Sequence, residues 1–346
     1  MKLLAAVAVL AALVHDANPV AACATAPPRG EEARIADEEA LIAWDATTKT
    51  ETFIRRAQFR STAKTFGFLV PTPTKPELGE VSSGIFETLA YSIAPEVKVD
   101  HHGFKLSFGT LLEMCAATKG SDDAGAGRVA AVRVIQAAHV AGMDATTLEA
   151  DDPKALADWL GAHGFEATPA LTAWLERYVT DHWKITAFVV GTDEKEGKTF
   201  DTATKAVKLT FTAEQPFYPY REPTPPAKTK LDLPPRMLRV FFASNQRYTG
   251  RLGDQPWNAS TLWSSTLDLS RDLGGKVGTR VTVFIDEAAA RIGDAEVTFV
   301  PFSDQSDVKQ PPTVLHQPHE IWIPVEAIVV VAILVIIVVR RRLKKR

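Results

Sequence analysis

The sequence predicts an α+β ectodomain of mainly antiparallel β-sheet with an inserted helix pair at about 153–182, followed by one C-terminal transmembrane helix. Three observations carry that expectation. Short apolar segments with period-two alternation recur between polar and proline-bearing turns, as strands do. Two successive stretches join a capping residue and a proline to apolar residues at helical spacing. Last, Ala327 to Val339 are thirteen residues without a polar side chain, and six positive charges follow within seven positions.

Taken in order, the chain opens like a secretory leader. Lys2 supplies the positive end, Leu3–Val14 is an apolar run of twelve, and Val20-Ala21-Ala22 places small residues before a cut at Cys23. Twelve residues at helical rise reach only ~18 Å, short of a ~30 Å hydrocarbon core, so residues 1–22 read as a cleaved signal peptide rather than an uncleaved anchor. The cysteines are Cys23 and Cys115. In an exported chain they fit a disulfide, which would stabilise by ~4.5 kcal/mol through loop closure. Two free thiols and a lipid-modified Cys23 are the other readings that stay open.

Ala40–Trp44, Thr52–Phe59 and Thr65–Val70 read as three consecutive strands with connections short enough for antiparallel neighbours. Phe53, Ala57 and Phe59 share one face, as do Phe66, Phe68 and Val70. Pro71 and Pro73 end the third strand, and a helix over Ile85–Ile93 is capped by Ser82 or Ser83. After the loop 119–127, Val129–Ile135 and Asp144–Glu149 return to strand. Asp152-Pro153 opens a helix carrying Leu156, Trp159 and Leu160; Thr168-Pro169 opens the next, with Leu171, Trp174, Leu175 and Tyr178 on one stripe. Lys184–Val190, Val207–Thr212, Leu238–Ala243, Arg280–Ile285 and Glu296–Val300 are later strands. Residues 219–235 hold six prolines and read as an irregular surface connection.

The domain is expected to end near 302, with a polar, proline-bearing stalk over 303–320. Residues 321–339 then read as the transmembrane helix, with Trp322 at the interface. Arg340, Arg341, Arg342, Lys344, Lys345 and Arg346 form a cytoplasmic tail. That topology places the protein in a cell membrane, single-pass, with its N-terminal domain outside and the lipid bilayer as a partner. Setting aside the leader and the end from Ile323 moves the net charge from −3 to −8. An acidic ectodomain argues against nucleic acid, which is held by clustered Lys and Arg.

The order of segments carries a resemblance. Cys23, "EEALIAWD" at 38–45, "FGFLVPTPTKPE" at 66–77, "IFETLA" at 85–90, "LADWLGAHGF" at 156–165 and "LTFTAEQPFYPYR" at 209–221 stand in the succession typical of one bacterial family. The chain resembles the family catalogued as domain of unknown function 2330 over roughly residues 23–245. It departs at Phe165, where Tyr is usual, and at Met143. The resemblance implies a secreted, often membrane-tethered domain and lends no catalytic residues.

Motifs with chemistry are few. Gly125–Ala130 matches a dinucleotide fingerprint only on paper, since it lacks a strand before and a helix after; Gly274-Gly275-Lys276 lacks the spacing of a phosphate loop. Asp100-His101-His102 and His316-x-x-His319-Glu320 have no further ligand at metal spacing. No catalytic residue, cofactor site or metal site is assigned. Phe217–Arg221 pairs aromatics with a fixed turn, and Tyr218, Tyr220 and Arg221 are candidate ligand contacts, with Arg221 able to clamp a carboxylate or a sugar. Trp257 and Trp263 are candidates for a carbohydrate or protein contact face. The expectation is a binding or envelope-organising module, with another envelope protein or a polysaccharide as partner. The rival is an envelope hydrolase whose carboxylates, Glu214 and Asp201 among them, meet only in the fold.

Overall fold

The computed structural model describes residues 23–82, 84–109, 134–192, 197–224, 231, 236–273, 280–288, 291 and 295–343. The expected leader, Cys115, the glycine motifs at 125–130 and 274–276, and Lys344, Lys345 and Arg346 lie outside them. The chain divides into two compact units, residues 1–93 with 125–309 and residues 94–124 with 310–346.

In chain order, β1 (Ala24–Ala26), β2 (Ala33–Asp45), β3 (Thr50–Ser61), β4 (Thr65–Thr72) and β5 (Glu77–Glu80) precede helix α1 (Ile85–Ser92). β6 (Val97–Gly109), β7 (Val134–Val140) and β8 (Met143–Leu148) lead to the helix pair α2 (Pro153–Ala162) and α3 (Pro169–Thr180). Next come β9 (Lys184–Gly191), β10 (Phe200–Ala203), β11 (Val207–Thr212), β12 (Phe217–Tyr218), β13 (Met237–Ser244), β14 (Tyr248–Leu252), β15 (Gln255–Pro256) and β16 (Ser260–Thr266). The short α4 (Ser270–Leu273), β17 (Arg280–Asp286), β18 (Val297–Pro301), β19 (Thr313–Pro324) and α5 (Val325–Leu343) complete the order.

The larger unit stacks its sheets. One sheet of eight strands runs β16-β17-β13-β2-β3-β11-β5, with β10 also on β3; another of five runs β1-β4-β9-β8-β7; a third of four runs β12-β18-β14-β15. All their pairings are antiparallel except β13 with β2. Phe59, Phe66, Phe68 and Phe188 meet Ile42, Phe53, Val240, Tyr218 and Phe299 in one core that draws on all three sheets. Leu41, Ala43, Ile54 and Phe241 turn the other way and pack with Ile85, Phe86 and Leu89 of α1. Leu69, Ile185 and Ala187 likewise pack beneath α2 and α3. Strands buried on both faces read as continuous apolar runs, which is why "FGFLV" and "LRVFFA" carry little polar alternation.

The helix pair lies where sequence spacing put it. Asp152 caps α2 by accepting from the Lys154 N–H at 2.8 Å, and Thr168 caps α3 through the Leu171 N–H at 3.2 Å. Each has proline in its first turn, where an N–H has no partner to lose. α1 starts at Gly84 with no side-chain cap, so the expected serine cap is not made by Ser82; Ser83 is outside the described residues.

Several expectations are corrected. β4 is not the neighbour of β3: it pairs β1 and β9 in the five-stranded sheet, while β3 takes β2 on one edge and β11 and β10 on the other. Alternation tells which residues share a face but not which strand lies alongside. Residues 219–222 belong to the interior rather than the surface, with Tyr220 at 5% exposure and Arg221 at 8%.

The C-terminal transmembrane helix is also corrected. In the smaller unit β19 pairs in parallel with β6, from Thr313 opposite Val97 to Pro324 opposite Gly109. The strand therefore takes Thr313–Glu320 from the expected stalk and Ile321–Pro324 from the expected span. Helix α5 starts only at Val325, and its uncharged run, Ala327 to Val339, is thirteen residues or ~20 Å of helix against a ~30 Å hydrocarbon core. Among the described residues no helix is long and apolar enough to cross a membrane. Apolar runs do not distinguish strand from helix, and pairing with β6 decided for strand up to the proline.

Candidate functional site

The segment from Phe217 to Glu222 sits between the deep core and a cavity. β12 pairs with β18, and beyond Tyr218 the chain runs on without regular structure. On the interior side lies a cluster of charged groups inside the core. Glu38 is 1% exposed, Arg55 2%, Arg291 1%, Asp286 1%, Arg236 5% and Glu222 6%. Arg55 Nη2 stands 2.6 Å from Glu38 Oε1. Arg236 forks onto both oxygens of Glu222 at 3.1 and 3.3 Å. Arg291 is shared, its Nη1 lying 3.6 Å from Glu38 and 3.7 Å from Glu222, its Nε 3.8 Å from Asp286. The Tyr220 hydroxyl donates to Asp286 at 2.8 Å. Three guanidinium groups thus face three carboxylates, so the cluster carries buried charge without net charge, the condition under which such burial is tolerated.

Burial pushes Glu222 up to about 7, opposed by Arg236 and Arg291 and reinforced by Glu38. Glu51, also enclosed, is pushed well above the carboxylate range by desolvation, although it accepts the Phe217 N–H at 2.9 Å. Cys23 is 2% exposed, its thiol directed at the Pro219 carbonyl at 3.6 Å, and burial raises it far beyond an ordinary thiol. It makes no disulfide among the described residues.

On the opposite side a cavity of about 560 Å³ is lined by Arg177, Tyr178, Asp181 and Trp183 from α3 and its exit, Gln215 and Phe217 before and in β12, Arg221, Asp254 and Glu296. Glu296 holds this wall together. Its Oε1 accepts from the Tyr178 hydroxyl at 2.5 Å and Arg221 Nε at 2.9 Å; its Oε2 accepts from the backbone N–H groups of Tyr220 at 2.5 Å and Arg221 at 3.0 Å. The Arg221 guanidinium lies 4.3 Å over the Tyr178 ring, and Trp174 donates to the Arg221 carbonyl at 2.8 Å. Trp183 packs edge-on to Phe217 at 5.1 Å.

Of the residues singled out in the sequence, Tyr218, Tyr220 and Trp257 meet in one aromatic chain, with centroids 6.4 and 6.0 Å apart. Trp263 belongs to the separate core beneath α1, so Trp257 and Trp263 form no common contact face. Both are buried, at 6% and 8% exposure. Of the candidate ligand contacts Arg221 alone lines the cavity, where Glu296 already engages it; Glu214, one of the candidate carboxylates, is also on its wall. Asp201 and Glu214 do not come together: Asp201 takes a forked pair from Arg60 at 2.7 and 3.0 Å, and Glu214 pairs Lys49 at 2.5 Å. Lys49 and Arg60 flank opposite ends of β3, roughly 35 Å apart at strand rise. His316 stands 3.6 Å from Asp100, and among the described residues no three His, Cys, Asp or Glu are grouped to hold a metal ion. Trp322 lies in β19, and Arg340, Arg341 and Arg342 are exposed at the end of α5.

The sequence reading passed over Glu38, Arg55, Arg236 and Arg291. One signal was present: Arg55 stands at the same parity as Phe53, Ala57 and Phe59, and Glu38 at the parity of Ala40, Ile42 and Trp44, so each charge points with its apolar neighbours into the core.

Fold and cavity together describe a β-rich domain built around an ion-paired interior, with a side pocket walled by Arg221 and Glu296. The chain belongs to the bacterial family of domain of unknown function 2330, described as an uncharacterised protein conserved in bacteria, whose model matches residues 18–251. No curated protein matches the chain, and no solved structure does.

Proposed function

We propose that the chain is an extracytoplasmic binding module that captures a hydroxyl-rich envelope saccharide in the cavity beside Arg221 without acting on it chemically. The observation that carries this reading is how the lining groups are committed. Glu296 accepts four hydrogen bonds from the wall itself, and Arg221 serves as its partner. Asp181, Asp254 and Gln215 stay on the wall as exposed polar groups, next to the half-buried Trp183 ring. Carboxylate and amide acceptors beside an aromatic plane suit sugar hydroxyls and the apolar face of a pyranose.

Equilibrium dialysis of the full chain against labelled soluble fragments of envelope polysaccharide tests it. Asp254→Ala and Gln215→Ala are each expected to weaken retention several-fold with an unchanged melting temperature. Retention of no fragment, or retention indifferent to both substitutions, removes the reading.

The lipid bilayer enters the same proposal as a partner of α5. Ile333 to Val339 are 41–56% exposed and run directly into Arg340, Arg341 and Arg342, so apolar surface stands beside cations suited to anionic headgroups. Association is proposed without a crossing. Full-length chain should co-sediment with vesicles containing anionic lipid, and less so once Arg340–Arg342 are replaced by Ser.

A further inference from the structure

The polar groups on the cavity wall carry a sign. Its lining residues include four carboxylates, Asp181, Glu214, Asp254 and Glu296, and two guanidinium groups, Arg177 and Arg221. Two of the six close on each other: Arg221 Nε donates to Glu296 at 2.9 Å, and the guanidinium lies 4.3 Å over the Tyr178 ring. Glu214 reaches Lys49, in a pair whose side chains are 90% and 55% exposed and which therefore holds weakly. Arg177 stands one helical turn before Asp181 at the end of α3 and offsets one charge. Asp254, exposed in the turn between β14 and β15, is in no ion pair among the described residues; the nearby Arg251 donates to its main-chain oxygen instead. Negative charge is thus in excess. On the same wall is the half-buried Trp183, edge-on to Phe217 at 5.1 Å and tilted against Tyr178 at 5.4 Å. Indole is the aromatic face that holds a cation best, and this wall already holds one cation on a ring, Arg221 on Tyr178.

We propose that the cavity selects a saccharide bearing free, protonated amino groups, its ammonium drawn to Asp181 and Asp254 and the apolar face of its ring laid on Trp183. The inference rests on the saccharide reading of this cavity and names the class of saccharide. A carboxylate accepts hydrogen bonds and donates none. It therefore meets an ammonium, with three donors and a charge, better than an acetamide, which has one N–H and a carbonyl oxygen. An acidic saccharide fares worst. With Arg221 engaged by Glu296 it finds Arg177 as its partner among the described lining residues, on a domain whose net charge is negative. The cavity, at about 560 Å³, is within the range of small-ligand sites.

Equilibrium dialysis of the full chain against two tetramers of one backbone tests this: β-1,4-linked glucosamine and its fully N-acetylated form. At about pH 6, where a primary amine is protonated, the amine form is expected to be retained about fivefold more tightly. That preference should shrink in about 1 M salt, where the screening length falls to roughly 3 Å. Asp254→Asn and Asp181→Asn keep the shape of the wall and should each narrow the ratio. Asp201→Asn removes the same charge from a surface pair with Arg60, outside the cavity lining, and should not. Equal retention of the two tetramers, stronger retention of the N-acetylated one, a preference indifferent to salt, or one that Asp201→Asn narrows as much as Asp254→Asn does, overturns the amine selection and leaves the saccharide reading standing. Retention of neither tetramer overturns it too, and the envelope fragments of the preceding test then decide the saccharide reading separately. The comparison of tetramers on the native chain depends on no variant folding.

Discussion

Arg221 and Glu222 are adjacent in sequence and face opposite environments. Arg221 turns to a cavity open to water and meets a carboxylate saturated with hydrogen bonds. Glu222 turns to a dry interior and shares Arg291 with a second acid. Both are ion pairs, yet the first is closed by directional hydrogen bonds throughout, whereas Glu222 adds to its forked bonds from Arg236 a contact with Arg291 that is proximity among balanced charges. The difference teaches that a buried charge cluster holds by completeness: each member is tolerable only while all are present. The wall of the cavity holds by geometry, bond by bond.

That contrast can be broken most violently from the inside. Arg291→Met strands Glu38, Glu222 and Asp286 around one missing charge and is expected to cost about 3–5 kcal/mol, read as a fall in the urea midpoint. Replacing Arg55 with Met should do the same to Glu38, its partner at 2.6 Å. Restoring the balance by Arg55→Met with Glu38→Leu should recover much of that loss, and failure to recover any would mean the cost is packing rather than charge. On the cavity side, Glu296→Gln keeps the shape but replaces one acceptor oxygen by a donor, losing two of the four hydrogen bonds and weakening the others, with an expected loss of about 1.5–3 kcal/mol by the same measurement.

A further substitution sharpens the comparison by leaving charge alone. A Cβ on Gly250 in β14 would fall 2.5 Å from the Trp257 ring, so Gly250→Ala must displace the indole that packs against Tyr220 and is expected to cost about 1–3 kcal/mol in thermal unfolding. The smallest effect belongs to the surface. Asp201→Asn breaks the pair with Arg60, whose carboxylate partner is 67% exposed, and should change stability by less than about 1 kcal/mol and vanish in high salt.

Much of the scaffold was legible along the chain. The α2–α3 pair is local physics: Asp152-Pro153 and Thr168-Pro169 satisfy their own first-turn N–H groups, and Trp159 and Trp174 lie on stripes that any neighbouring apolar surface would bury. Strand existence was also local, and β8, β9, β11, β13, β17 and β18 lie within a residue of their expected bounds. What failed was neighbourhood. The 62–64 connection looks like a hairpin and is a crossing between two sheets; Ile321–Pro324 looks like the start of a span and is the end of a strand on β6. The site failed for the same reason. Its acid and bases come from residues 38, 55, 222, 236, 286 and 291, and no spacing in the chain relates them.

By itself the sequence determined which residues of a strand face together and where the α2–α3 pair begins, because periodicity and capping act over a few residues. It also carried family membership, through the order of its motifs. Tertiary structure alone decided which strands pair, that six charges share the interior, and that Arg221 and Glu222 look into different solvents. Those outcomes depend on groups far apart in the chain meeting at a few ångströms, where desolvation and Coulomb energy are set by the partner and not by the residue.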